Sequence, residues 1–106
     1  MVGDMPVVRI SLGRFDPSKY EEVRRLLDES QTTLLPAIRA LKGNIAYYVG
    51  LDRENSAMTN VSIWQTLEDA KQMASLQAML DLAQRFTVAG VRFESPITNH
   101  ETLWSV

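Results

Sequence analysis

The order of predicted elements constrains this chain more than any motif within it: strand, helix, strand, strand, helix, strand in 106 residues. Val7 to Leu12 alternates Val8, Ile10 and Leu12 against Val7, Arg9 and Ser11, the period of a strand. Asp16-Pro17 then supplies an N-cap and the residue best suited to a first helical position, where a missing amide orphans nothing. The helix that follows carries Tyr20, Val23, Leu27, Leu34, Ile38 and Leu41, mostly three or four apart, as its buried stripe. Pro36 cannot donate to the carbonyl of Thr32, which predicts a kink or break near Gln31 to Leu35 with Thr32 or Thr33 capping the second piece. Gly43 is placed as a left-handed C-cap.

Asn44 to Leu51 is the second strand, with Ile45, Tyr47, Val49 and Leu51 alternating with Ala46, Tyr48 and Gly50. The polar run Asp52 to Ser56 is a hairpin loop, and Thr59 to Gln65 is the third strand, with Val61 and Ile63 opposite Asn60, Ser62 and Trp64. Thr66 marks the junction with the second helical region and, with Asp69, resembles a capping box. Ser75 is placed to re-cap that region, dividing it into 67–74 and 76–86, the latter with a stripe of Leu76, Met79, Leu80, Ala83 and Phe86. Gly90 ends it, Val91 to Ser95 is the fourth strand, and Pro96 to Val106 is a tail carrying Ile97, Leu103 and Trp104.

Two strand-helix-strand units joined by a hairpin make an α+β domain of the ferredoxin-like βαββαβ kind, a four-stranded antiparallel sheet with its helices on one face. We expect Val8, Ile10, Ile45, Tyr47, Val49, Val61, Ile63, Val91 and Phe93 under the helices. Arg9, Ser11, Tyr48, Asn60, Trp64 and Arg92 then fall on the opposite face. That mixed face, holding a Trp and a Tyr, is better covered by a partner sheet than by water, which points to a homodimer. The apolar tail also needs burial, and adding it to a partner's sheet would supply that.

Composition narrows the rest. The length allows one domain, residues 1–106, with a core over about 7–98 and the tail over 96–106. Hydrophobic residues at 45% and charged residues at 23% are those of a globular chain, not a disordered one. A net charge of -2 from 11 basic and 13 acidic residues leaves no basic field for nucleic acid. Met1 to Pro6 has neither a charged leader nor an apolar core, and no apolar run approaches the roughly 20 residues that span a bilayer. With no cysteine, the expectation is a cytoplasmic protein without a membrane partner. The sequon Asn60-Val61-Ser62 lies in a predicted strand and reads as chance.

The run Val61-Ser62-Ile63-Trp64-Gln65-Thr66-Leu67-Glu68-Asp69-Ala70, preceded by the Gly43 to Gly50 strand and the kinked first helix, resembles the dimeric alpha-beta barrel superfamily, particularly its antibiotic biosynthesis monooxygenase group. The resemblance covers about residues 7–98 in element order and one short tryptophan motif. It implies two sheets closing face to face into a dimeric α/β barrel, helices outside, and a ligand cavity in each subunit. Its members include cofactor-free quinol and anthrone oxygenases, haem-degrading proteins and lactone isomerases. Many oxygenase-like members carry a His nine residues after the motif Trp; here that position is Met73, so the usual general base and the obvious haem ligand are both missing. The only imidazole, His100, lies in the tail, where a crossing to the partner could bring it over that subunit's cavity.

Under that resemblance the implied activity is cofactor-independent monooxygenation of a small aromatic or polycyclic phenol or quinol, with no cofactor and no metal. Substrate binding falls to Tyr48, Asn60, Trp64 and Arg92, and no catalytic residue is assigned. Each also has a plainer reading. Trp64 is first a core or interface aromatic, Asn60 and Ser62 suit a hydrogen-bond network, and Arg9, Arg92 and Glu94 suit cross-strand ion pairs. Tyr47 and Tyr48 face opposite ways, so one at most serves a given cavity, and Tyr48 is the choice. Met73 and Met79 read as helix packing. The alternative from another class is a non-catalytic homodimer that binds a small molecule or serves only assembly.

Overall fold

A computed structural model describes residues 5–106. Most of the segment examined for a leader, residues 1–4, lies outside the described residues. The elements are β1 (Val7–Arg14), α1 (Tyr20–Arg39), β2 (Asn44–Asp52), β3 (Ala57–Trp64), α2 (Leu67–Ala70), α3 (Gln77–Val88), β4 (Arg92–Phe93) and β5 (Thr98–Glu101). Tight 3-10 turns at Pro17–Lys19 and Lys71–Ser75 lead into α1 and link α2 to α3. The sheet is antiparallel in the order β2-β3-β1-β4. This is the ferredoxin-like α+β arrangement the element order demands, with one addition. The tail supplies β5, whose Thr98–Glu101 pairs with Ile10–Val7 of β1 in the same chain. β4 meets only Gly13 and Arg14, so β4 and β5 share the second edge of β1 end to end. Among the described residues no helix is long and apolar enough to cross a membrane.

Local signals explain the helix ends. The Asp16 carboxylate accepts from the Ser18 amide at 3.0 Å, and Thr66 Oγ1 accepts from the Asp69 amide at 3.0 Å, each satisfying a donor that a helix start leaves open. Gly43 and Gly90 sit at φ +79° and +103°, the region in which glycine alone is unstrained. Other expectations are corrected. α1 runs unbroken through Pro36, which lies in its last turn between the buried Leu34 and Ile38, so only one interior bond is lost and the packing on either side holds the helix. Thr32 and Thr33 therefore cap nothing; their hydroxyls donate back to the carbonyls of Glu29 and Ser30. Ser75 likewise donates to the Gln72 carbonyl, and the N-cap position of α3 is Leu76.

The faces of β1 and β3 are the reverse of those expected. Val7, Arg9 and Ser11 are buried under the helices, as are Met58, Ser62 and Trp64, while Val8, Ile10, Val61 and Ile63 point to the uncovered side. On β2 the expectation holds from Ala46 onward: Tyr47, Val49 and Leu51 register with Ser62, Asn60 and Met58, and Ala46 and Tyr48 register with Ile63 and Val61, whereas Ile45 is exposed where the ladder shifts register between Asn44 and Ala46. The physical reason is that the more apolar row is not always the covered one in a single chain. Here the row beneath the helices includes a polar band because part of it lines a cavity.

The core closes around Trp64, Phe86, Ile38, Met58, Met73 and Val23, all essentially inaccessible. The loop after α1 is tied to the second helical region, with the Gln72 amide donating to the Lys42 carbonyl at 2.7 Å.

Candidate active site

The polar band crosses the centre of the helix-facing sheet surface. Opposite one another in register lie Tyr47, Ser62, Arg9 and Asn99, and in the next row Val49, Asn60 and Ser11. Apolar rows flank it, with Trp64 and Val7 on one side and Leu51, Met58 and Gly13 on the other. Gly13 is needed in that last row, because a Cβ would come within 2.8 Å of a Val91 methyl and 3.2 Å of Phe93.

Between this band and the helical layer is a cavity of about 510 Å³. Arg9, Ser11 and Asn60 form its polar floor. Met73, Met79, Leu82 and Phe86 form an apolar roof, and Phe93 with the segment Glu94–Ile97 closes the side. Phe86 meets Phe93 edge to face at 6.4 Å, which fixes that wall. An apolar enclosure with a few convergent polar groups is the usual build of a small-molecule site. A second hollow, about 610 Å³, lies between α1 and the edge strand β2, but it is bordered by Arg24, Asp28 and Gln31 and by the exposed Val49 and Gly50, a more polar and open setting.

Three features set the chemistry of the floor. The Tyr47 hydroxyl donates to Asn60 Oδ1 at 2.9 Å, which leaves the Asn60 amide hydrogens for the cavity. Burial pushes the Tyr47 phenol up to about 12, with the neighbouring Arg9 charge pulling the other way, so Tyr47 is a neutral donor at physiological pH. Arg9 is only 8% exposed, yet it forms no ion pair and donates no side-chain hydrogen bond among the described residues. Burial lowers its pKa, an effect that the neighbouring Tyr47 phenolate would oppose once formed, but a guanidinium stays protonated. At the cavity mouth, Glu94 is held by Arg14 at 3.3 Å.

The four residues expected to bind substrate are not brought together. Asn60 lines the cavity. Trp64 lies on the same side of the sheet but is fully buried, its indole N–H donating to Ser62 Oγ at 2.8 Å. Tyr48 is 61% exposed on the opposite side of the sheet, and Arg92 is exposed opposite Arg14 on β1. Tyr47, not Tyr48, is the tyrosine that touches the polar band. His100 is exposed on β5, its Nε2 within 2.9 Å of Thr98 Oγ1. Met73 and Met79 both line the cavity besides packing the helices. Sequence reasoning missed Arg9 and Ser11 as cavity residues, although a charged and a hydroxyl side chain two apart in a strand bordered by valine and isoleucine were the available signal. Among the described residues no group of His, Asp and Glu is arranged to hold a metal ion.

No protein-family model and no curated protein sequence matches the chain. Solved structures do match it in fold. An antibiotic biosynthesis monooxygenase-like protein from Deinococcus radiodurans superposes with a TM-score of 0.72 at 17% identity, over 94% of this chain and 95% of that one. A similar protein from Nitrosomonas europaea gives 0.71 at 12% identity, over 98% and 96%. SnoaB, a cofactor-independent oxygenase from Streptomyces nogalater, gives 0.66 at 10% identity, over 96% and 97%. At these identities the likeness establishes a shared fold.

Proposed function

We propose that this protein is a cofactor-independent monooxygenase acting on a small aromatic or polycyclic phenol or quinol bound in the cavity between the sheet and α3. The observation that carries the reading is the cavity itself: an apolar roof able to receive a flat ring system, over a polar floor able to hold its oxygen atoms. The fold shared with a cofactor-independent oxygenase supports the reaction class. For an anthrone the balance is one dioxygen consumed per molecule: one oxygen atom becomes the new quinone carbonyl, and the other leaves as water with the two hydrogens of the ring CH2 group. The substrate supplies the electrons, so no step calls on a flavin or a metal.

Within this reading Asn60 contacts a substrate oxygen, with its amide held by Tyr47, and Trp64 positions the end of β3 from beneath. Tyr48 and Arg92 belong to the other side of the sheet, and we assign them to an interface. A homodimer is part of the proposal. Val8, Ile10, Val61 and Ile63, with Tyr48 beside them, leave an apolar sheet face that no helix covers, and a second copy of that face would complete a barrel. The cysteine-free chain suits the cytoplasm.

One observation favours the second reading, a homodimer that binds a small molecule without turning it over: a methionine, Met73, fully buried in the cavity roof, stands where a general base is expected. The two readings separate in an oxygen electrode. Chelator-treated protein with a panel of quinols and anthrones is expected to take up oxygen above the protein-free rate, and Asn60→Ala to lower kcat/KM by about tenfold to a hundredfold. Uptake at the protein-free rate across the panel would favour the binding protein, and uptake only after adding flavin, haem or metal would overturn the cofactor-free mechanism.

A further inference from the structure

We propose that Arg9, with Ser11 and Asn60, forms a receptor for an anionic oxygen, so that the cavity takes its ligand as the phenolate and ionises it without a general base. The inference rests on the phenol-binding reading above and adds the charge state and the residue that sets it. Arg9 is more than nine-tenths buried and lies on the cavity floor, with no carboxylate paired to it among the described residues. Holding a cation in such a place without a counter-charge is costly, whereas a bound anion converts that cost into attraction. Its neighbours on the floor add donors. Asn60 offers its amide hydrogens because Tyr47 occupies Oδ1, and the buried Ser11 hydroxyl, directly across from Asn60, donates to no described residue.

The charged and titratable groups near Arg9 leave that role open. Across β3, Tyr47 is neutral and already donates to Asn60. On the other edge of β1, Asn99 is opposite Arg9, and Glu101 lies one row away and exposed. Glu94 at the mouth is engaged by Arg14. From the helical layer the cavity receives Met73, Ala74, Met79, Leu82, Ala83 and Phe86, none of which titrates. In such surroundings a phenol O–H breaks heterolytically. The electron pair stays on the oxygen beside Arg9, and the proton passes to water at the mouth. The absence of an imidazole at Met73 then has an explanation: a fixed positive charge lowers the ligand's own pKa in place of a base.

A nitrophenol whose anion absorbs in the visible tests this without turnover, under nitrogen. At a pH one unit below the free phenol's pKa, titration with the native protein is expected to raise the anion band, with the bound anion-to-neutral ratio at least tenfold above that of the free ligand. Arg9→Met, which keeps length and removes charge, is expected to abolish the rise, while Arg9→Lys retains part of it. Circular dichroism checks the fold of each. Should Arg9→Met fail to fold, Ser11→Ala and Asn60→Ala are expected to reduce the ratio severalfold each. Nitrobenzene, which lacks the ionisable oxygen, is expected to bind native protein at least tenfold more weakly above the phenol's pKa. Binding of the neutral phenol, no binding at millimolar ligand, or a rise unchanged in a folded Arg9→Met variant would each overturn the receptor. Anion binding here, together with uptake at the protein-free rate across the quinol and anthrone panel in the oxygen electrode, would instead sink the oxygenase and leave the receptor standing.

Discussion

Tyr47 shows how one side chain joins the stability of this fold to its site. Its phenol is held neutral by burial, with a pKa pushed up to about 12 against an ordinary value of about 10. Because the folded value is the higher, the stabilisation is fully present below about pH 10 and is lost as the pH rises through about 12, to a ceiling of roughly 2–3 kcal/mol. Urea denaturation of native protein and Tyr47→Phe across that window is expected to show the native protein losing stability more steeply. Parallel curves would mean that Tyr47 titrates alike in both states. The position of Tyr47 beneath the helices was legible in the alternation of β2, but its importance was not. Nothing in the sequence states that its hydroxyl meets Asn60, since that contact requires the register of two strands.

Glycine positions separate what an element needs from what its packing adds. Gly43 and Gly90 both end helical segments with positive φ, and both were readable as such because glycine follows the last helical residues. Only Gly43 is also crowded: a Cβ there would collide with the Asp69 side chain, whereas nothing lies within 4 Å of one at Gly90. Gly90→Ala is therefore expected to lose about 1–2 kcal/mol from backbone conformation alone, and Gly43→Ala at least roughly 1 kcal/mol more from the clash. Equal losses in thermal or urea melts would show that Asp69 moves aside freely. The same scale contains the main misreading. β1 and β3 alternate as strands should, but periodicity gives two faces without saying which is covered. Val8, Ile10, Val61 and Ile63 look like a core row and lie on the side that no helix covers; Arg9 and Ser11 look solvent-facing and lie within. Caps at Asp16 and Thr66 were legible because they depend on residues only two or three apart.

For the whole molecule, the element order determined the topology, and the cavity and the uncovered apolar face follow from which side of the sheet the helices take. The uncovered face is the more apolar one, so we expect sedimentation at micromolar concentration to give about twice the 12.0 kDa of one chain. Val61→Lys, opposite Ile10 and Tyr48 at the middle of that face, is expected to shift the protein to monomer while leaving its helical circular dichroism unchanged. A native monomer would remove the barrel from the proposal. The sequence pattern points to a homodimer through the mixed face of Arg9, Tyr48 and Trp64, but the face left uncovered is the row of Val8, Ile10, Val61 and Ile63, whose spacing is that of a monomer's core. The tail was only partly legible as well. Its β5 is too polar to signal a strand, and Leu103 and Trp104 beyond it remain 80% and 82% exposed. The central claim is that this cavity transfers an oxygen atom from dioxygen to a bound phenol, quinol or anthrone, and isotopic labelling tests it most directly. Chelator-treated protein supplied with an anthrone under 18O-labelled dioxygen is expected to yield a quinone carrying one 18O atom by mass spectrometry, faster than the protein-free control; quinone formed no faster than in that control, or label entering only from 18O-labelled water, would contradict it.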